Sequence, residues 1–149
     1  KNFGNCKTDT IPLYGGPFNN EKEVKEYQVA IAQSLAAIGL DEYYAIYLVA
    51  NYGRQVDTIL EFIEDFKDQP EIALARAELK FSLENELIFK ALDFFNRRTG
   101  RLYFHINSIE PALNAVLADI KKYFNWTDER VSQEKLEVQN AIREASNFG

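Results

Sequence analysis

The stretch NEKEVKEYQVAIAQSLAAIGL, residues 20–40, decides the fold class. Asn20 stands three residues before Glu23, the spacing of a capping box at a helix start. Val24, Tyr27, Ile31, Leu35 and Ile38 then recur at helical spacing and share one stripe. Gly39 supplies a left-handed stop, and Leu40 can fold back on the last turn. A start signal, a 3.6-residue period and a stop signal agree. The segment is predicted to be an amphipathic helix.

The same grammar continues toward the C-terminus. Asp41 caps a second, shorter helix that ends at Gly53. Its Tyr43, Tyr44, Ile46, Tyr47, Leu48 and Val49 are apolar on most sides, so a central position is expected. Val56, Ile59, Leu60, Ile63 and Phe66 form a third stripe, closed by Pro70. From Pro70 the pattern reads as helix to about Arg98. Leu79, Leu83 and Leu87 make one row, which Ala91, Phe94 and Phe95 continue with some slip. A break between Asn85 and Lys90 is needed to keep one face buried. Residues 99–106 read as an apolar connector. Asn107 or Ser108 opens the next helix, with Pro111 tolerated in its first turn and Leu113, Val116, Leu117, Ile120 and Phe124 as its stripe. Thr127 caps the last helix, with a Trp126–Val131 staple and Val131, Val138, Ile142 and Ala145 facing inward. Asn125-Trp126-Thr127 is formally a glycosylation acceptor, but without a signal peptide it reads as that helix start. Upstream, residues 1–19 carry Gly4, Pro12, Gly15, Gly16 and Pro17 without helical period, the mark of an extended connector. No strand pair and no repeat is visible. The expected architecture is all-α: a single domain of about six or seven helices over residues 20–149, behind a connector over 1–19.

Composition excludes several function classes. The chain has 149 residues, 46% of them hydrophobic and 13% aromatic, enough for a real core. Its formal charge of -6 argues against broad phosphate-backbone binding and against docking on anionic lipid. One cysteine, Cys6, excludes an internal disulfide, and no Cys/His cluster exists to hold zinc. A cytoplasmic location follows as the expectation. The chain opens at Lys1 and contains no methionine, so a removed leader or a piece of something longer is expected. No GxGxxG, GxxxxGK[ST], HExxH or GxSxG occurs.

The candidates for chemistry are few. Glu84 with Glu86, Glu61 with Glu64 and Asp65, and Asp128 with Glu129 are carboxylate groups on polar faces or in a helix first turn, where solvation or the dipole accounts for them. His105 has no second histidine or cysteine beside it, and Cys6 has no cation cluster to activate it. Two features stand out. Glu78 lies on a helix that reads as largely buried, where a carboxylate needs a partner. Phe94-Phe95-Asn96-Arg97-Arg98-Thr99-Gly100-Arg101-Leu102 sets three cations beside large apolar residues. Either the phenylalanines are core and the arginines cap the helix end, or Arg97 or Arg98 engages a fixed acceptor such as Glu78 or an absent domain. On residue chemistry alone the chain is a helical module that supports or binds something else.

The order of motifs resembles the C-terminal domain of the FAD-dependent glycerol-3-phosphate dehydrogenases and alpha-glycerophosphate oxidases. Residues 6–16 are similar to the connector that leaves the FAD domain. Tyr52-Gly53-Arg54-Gln55-Val56-Asp57 resembles the tyrosine-glycine turn. Ala77-Glu78-Leu79 resembles the alanine-glutamate pair that opens the family's long helix, and Leu92-Asp93-Phe94-Phe95-Asn96-Arg97-Arg98-Thr99 resembles its aspartate and Arg-Arg-Thr pattern. Trp126-Thr127-Asp128-Glu129-Arg130 resembles the start of the final helix. Two positions depart: Lys90 stands where a threonine cap is common, and His105 where an acidic or amide residue is common. The Phe-rich and Tyr-rich style is nearer the oxidase branch. The resemblance implies a parent enzyme that oxidises glycerol 3-phosphate to dihydroxyacetone phosphate, passes the electrons to FAD and then to oxygen, and makes hydrogen peroxide. It implies that this fragment is non-catalytic, with no catalytic, cofactor-binding or metal residues of its own. Its partner would be the N-terminal FAD/substrate domain of the same protein. Nucleic acid and metal are not implied, and any peripheral membrane association belongs to the parent. Glu78, Arg97, Arg98 and Thr99 become structural or inter-domain residues. The alternative is a free-standing all-α protein-interaction module.

Overall fold

A computed structural model of the protein describes residues 18–147. The described residues are all-α, without a strand. Six helices of eight residues or more account for most of them: α1 (Glu21–Ala37), α2 (Tyr43–Tyr52), α3 (Val56–Ile63), α4 (Pro70–Asn85), α7 (Ile109–Phe124) and α8 (Asp128–Ser146). Two short helical pieces, α5 (Ala91–Asp93) and α6 (Arg101–Phe104), flank a π-helical turn at Phe94–Arg98. The connector expected over residues 1–19 lies almost wholly outside the described residues, as does Cys6. The chain divides into two compact units, with the boundary between Asp57 and Thr58, inside α3.

In the first unit, α1 begins as its sequence dictates. The Asn20 side chain accepts from the Glu23 amide at 2.9 Å, while the Glu23 carboxylate reaches past Asn20 to the Asn19 amide at 2.8 Å. Gly39, at φ 86°, ends the helix, and the Leu40 amide returns to the Leu35 carbonyl at 3.0 Å. A side chain at Gly39 would strain that left-handed backbone. Asp41 then accepts from the Tyr43 amide at 2.8 Å and starts α2. The start of α1 meets the end of α2, so the two run antiparallel. Arg54 pairs with Glu23 and lies over the rings of Phe18 and Tyr27, at 4.8 and 5.6 Å. The central position expected of α2 holds for Tyr44, Leu48 and Val49, which are buried, and fails for Tyr43 and Ile46, which are exposed. Ten residues make under three turns, and one side of α2 remains uncovered.

In the second unit, α4 is the central helix. It buries Ala73, Leu74, Ala75, Ala77, Glu78, Leu79, Phe81 and Ser82, residues from nearly every side. It packs on α7, whose Leu113, Val116, Leu117 and Ile120 are buried as expected. α8 packs on α5 and α7 and brings Val138 into the same core. α4 stops at Asn85, where the break was required, so Leu87 leaves the row and is 79% exposed. Residues 99–106 are not a plain connector, since α6 forms one helical turn there. Asn125, at φ 53°, ends α7, and the Thr127 hydroxyl accepts from the Arg130 amide at 3.2 Å to begin α8. Trp126 and Val131 both pack against the core, as the staple requires.

Candidate functional site

The chemistry-bearing residues of the second unit converge on the segment from Ala91 to Ser108. Glu78 is fully buried, as its surroundings predicted, and its partner is Arg101. Arg97 and Arg98 do not reach it. Arg101 is 1% exposed, and its guanidinium pairs with Glu78 through Nη2 and donates to Ser108 Oγ through Nη1 at 2.9 Å. Ser108 Oγ in turn donates to the His105 carbonyl at 2.7 Å. One ion pair thus ties α4 to α6 and to the turn that opens α7. Because Ser108 is committed to this network, it gives α7 no side-chain cap.

The π turn explains why the arginine pair is not the partner. In a regular helix running on from Ala91, Phe94 and Phe95, the next inward position is Arg98. The Thr99 amide instead bonds the Phe94 carbonyl, five residues back, at 3.0 Å. The wide turn inserts one residue into the spiral. Thr99 takes the inward position, 1% exposed, and its hydroxyl donates to the same Phe94 carbonyl at 3.0 Å. Arg97 and Arg98 rotate outward and are exposed. Arg98 Nε lies 3.4 Å from Glu86 Oε2, a half-exposed pair. Gly100, at φ 62°, then reverses the backbone so that Arg101 points back into the core. A Cβ at Gly100 would sit 3.2 Å from the Phe104 ring, so the turn has little room for anything larger.

A second buried carboxylate escapes the sequence reading. Glu134 of α8 is fully buried and accepts from the Ala91 amide at 2.9 Å. It also pairs with Arg130, whose guanidinium lies 5.2 Å from the Trp126 ring centre. Lys90, the departure from the expected threonine cap, makes no side-chain cap to this segment. Glu134 supplies the missing acceptor from across the core. The signal was available: Glu134 stands in the inward row Val131, Glu134, Val138, where only a partnered acid belongs.

The remaining candidates are ordinary. Glu61, Glu64, Glu84, Asp128 and Glu129 are exposed, and Asp65 bonds Lys80 at 2.8 Å. The Lys121 ammonium beside Asp128 holds its carboxyl below the usual carboxylate range. In the first unit, burial and the neighbouring Asp57 push the Tyr27 phenol above its ordinary value. Among the described residues no group of three or more His, Cys, Asp or Glu could hold a metal ion, and no helix is long and apolar enough to cross a membrane. Gly39, Gly53 and Gly100 each sit at a helix end, not in a phosphate-cradling loop, so these residues do not fit a flavin. The site fixes backbone geometry through the Thr99–Phe94 bond and presents Arg97 and Arg98 at the surface.

Comparison with known proteins gives this arrangement its context. Residues 6–131 match the family described as the C-terminal domain of alpha-glycerophosphate oxidase. The chain is 35% identical over 148 residues to the aerobic glycerol-3-phosphate dehydrogenase of Bacillus subtilis (strain 168), covering 95% of this chain and 26% of that protein. It is 27% identical over 143 residues to the alpha-glycerophosphate oxidase of Streptococcus pneumoniae serotype 4, covering 95% of this chain and 23% of that protein. The crystal structure of the glycerol-3-phosphate dehydrogenase from Bacillus halodurans, complexed with FAD, superimposes with a TM-score of 0.74 at 29% identity, covering 93% of this chain and 29% of that one. The chain therefore spans about a quarter of the length of the relatives it matches. With the helix order, the buried Glu78 and the arginine-rich turn in place, the chain belongs to the family of the alpha-glycerophosphate oxidase C-terminal domain.

Proposed function

We propose that this chain serves as the helical C-terminal part of an FAD-dependent enzyme that oxidises glycerol 3-phosphate to dihydroxyacetone phosphate and returns the electrons to oxygen as hydrogen peroxide. The observation that carries the reading is the match along the chain to the last quarter of flavoenzymes of this kind, joined to a site whose charges are structural. In this reading the chain is non-catalytic, and its partner is the N-terminal FAD/substrate domain of the same protein. Arg97 and Arg98 are the residues offered to that domain: they are exposed on a turn held rigid by Thr99 and by the core phenylalanines beneath it. Residues 1–19 act as the connector and residues 20–149 as the cap. We propose a cytoplasmic location, supported by the lone cysteine and the absence of any disulfide framework.

The test is flavin content and turnover. Purified alone, the chain should carry no flavin absorbance and should produce no dihydroxyacetone phosphate from glycerol 3-phosphate. Stoichiometric flavin, or turnover without another protein, would overturn the reading. The alternative of a free-standing interaction module has no observation of its own in its favour.

A further inference from the structure

The four most exposed large apolar side chains among the described residues all lie within residues 87–104: Leu87 at 79%, Phe104 at 76%, Tyr103 at 69% and Phe89 at 63%. They bracket the π turn and its arginine pair. Local structure holds them there. Glu86 and Lys90 have extended backbone, at φ -135° and -139°. Between them Leu87 and Phe89 are exposed while Ile88 is buried, the alternation of an extended segment. The Phe89 ring rests beside Phe124, with centroids 6.4 Å apart. Glu86 pairs with Arg98, which ties the Leu87 segment to the arginine turn. The Phe104 ring lies against Gly100, two residues beyond Arg98.

Large side chains of this kind carry about 150–250 Å² each, so at these exposures the four present about 500 Å² of apolar surface. Apolar exposure of that order marks an interaction site. Aromatic rings beside arginines are also the composition of an interface core. The area selects the kind of partner. Separate chains that associate stably cover about 800 Å² on each side. Domains joined in one chain cover about 600–1,500 Å² in total, about half of it on each side. The exposed surface falls short of the first and within the second. A tethered partner also needs less area, because the connection raises its effective concentration. The family is a C-terminal domain, and this chain spans about a quarter of its relatives' length, so the rest of such a polypeptide precedes it. We propose that Leu87, Phe89, Tyr103 and Phe104, around Arg97 and Arg98, form the apolar face on which the preceding FAD-bearing part of the same polypeptide docks. The proposal rests on the reading of this chain as the C-terminal part of such an enzyme. The Thr99–Phe94 bond and the Glu86–Arg98 pair hold the face before docking, which keeps the ordering cost low.

The test is hydroxyl-radical footprinting read by mass spectrometry. It compares the isolated chain with a chimera in which residues 1–149 follow the preceding part of the Bacillus subtilis aerobic glycerol-3-phosphate dehydrogenase. In the FAD-loaded chimera, oxidation of Leu87, Phe89, Tyr103 and Phe104 should fall by at least about fivefold, since an interface core excludes water, while Ile46 of α2 and Leu136 of α8 should change by less than about twofold. Leu87→Ser with Phe104→Ser should move the melting temperature of the isolated chain by less than about 3 °C, as exposed positions do, yet lower the temperature at which the chimera releases FAD by at least about 6 °C. A chimera that binds no FAD overturns the reading on which the face rests, and the face with it. A chimera that holds FAD but leaves the four side chains as reactive as in the isolated chain, or protects Ile46 or Leu136 in their place, overturns the docking face alone. So does a stable dimer of the isolated chain in which the same four side chains are protected.

Discussion

Removing the Glu78 carboxylate should leave the buried Arg101 guanidinium without its Glu78 counter-ion. Both partners are within 1% of complete burial, so neither can turn to water. Stranding one member of such a pair costs about 3–5 kcal/mol. At about 2–4 °C per kcal/mol for a chain of this size, Glu78→Ala should lower the melting temperature by about 6–20 °C. Arg101→Met should cost a similar amount, since it removes the buried carboxylate's counter-ion instead. Glu78→Leu combined with Arg101→Met removes both charges and keeps apolar volume. The double change should therefore be less destabilising than either single change. Urea denaturation followed by fluorescence reads this directly, because the chain has one tryptophan, Trp126, and it lies in the same unit as the pair. Arg97→Ala and Arg98→Ala are the controls. The first should stay within about 0.5 kcal/mol and the second within about 1 kcal/mol. The reasoning fails if Glu78→Ala costs less than about 1 kcal/mol, or if the double variant loses the sum of its parts.

Two further outcomes follow from the same packing. Glu134→Ala should cost about 2–4 kcal/mol, by leaving the Ala91 amide without its acceptor, and Glu134→Gln should recover part of that; urea denaturation gives the cost, and hydrogen exchange at the Ala91 amide shows the opening. The Tyr27 phenol is held neutral by burial and by Asp57, so its folded value lies above the unfolded value of 10.0. Its contribution is complete below that pH and is lost as pH rises toward the folded value, so the chain should lose stability in alkali above about pH 10. In Tyr27→Phe that alkaline loss should be smaller, measured by urea midpoints across the range.

The parts of the fold written in short local signals were legible. Asn20 with Glu23, Gly39 and Thr127 each decide a helix end through the next few residues, and the structure places those ends where the signals stand. The burial of Glu78 was legible too, because its neighbours Ala77 and Leu79 are core residues. Its partner was not. That choice depends on a one-residue insertion in the helical spiral at Phe94–Arg98, and no residue type signals a π turn. An α-helical count puts Arg98 inside, whereas the wider turn puts Thr99 there and leaves Arg101, past Gly100, to meet Glu78. Glu134 was hidden for a related reason. Its acceptor role serves a backbone amide 43 residues earlier, a contact that only the tertiary packing of α8 on α5 creates. Tyr43 and Ile46 were expected inside because apolar density was high, but density alone does not say which side of a helix is covered.

The most direct test of the central claim is a chimera. The C-terminal 26% of the Bacillus subtilis aerobic glycerol-3-phosphate dehydrogenase that this chain matches is replaced by residues 1–149. FAD content and glycerol 3-phosphate oxidation are then measured beside the same enzyme truncated at the junction. A cap of this family should give a soluble chimera that retains FAD and oxidises glycerol 3-phosphate within about tenfold of the parent, a loss of about 1.4 kcal/mol, while the truncated enzyme does neither. A folded chimera no better than the truncated enzyme in flavin retention and turnover would contradict the account.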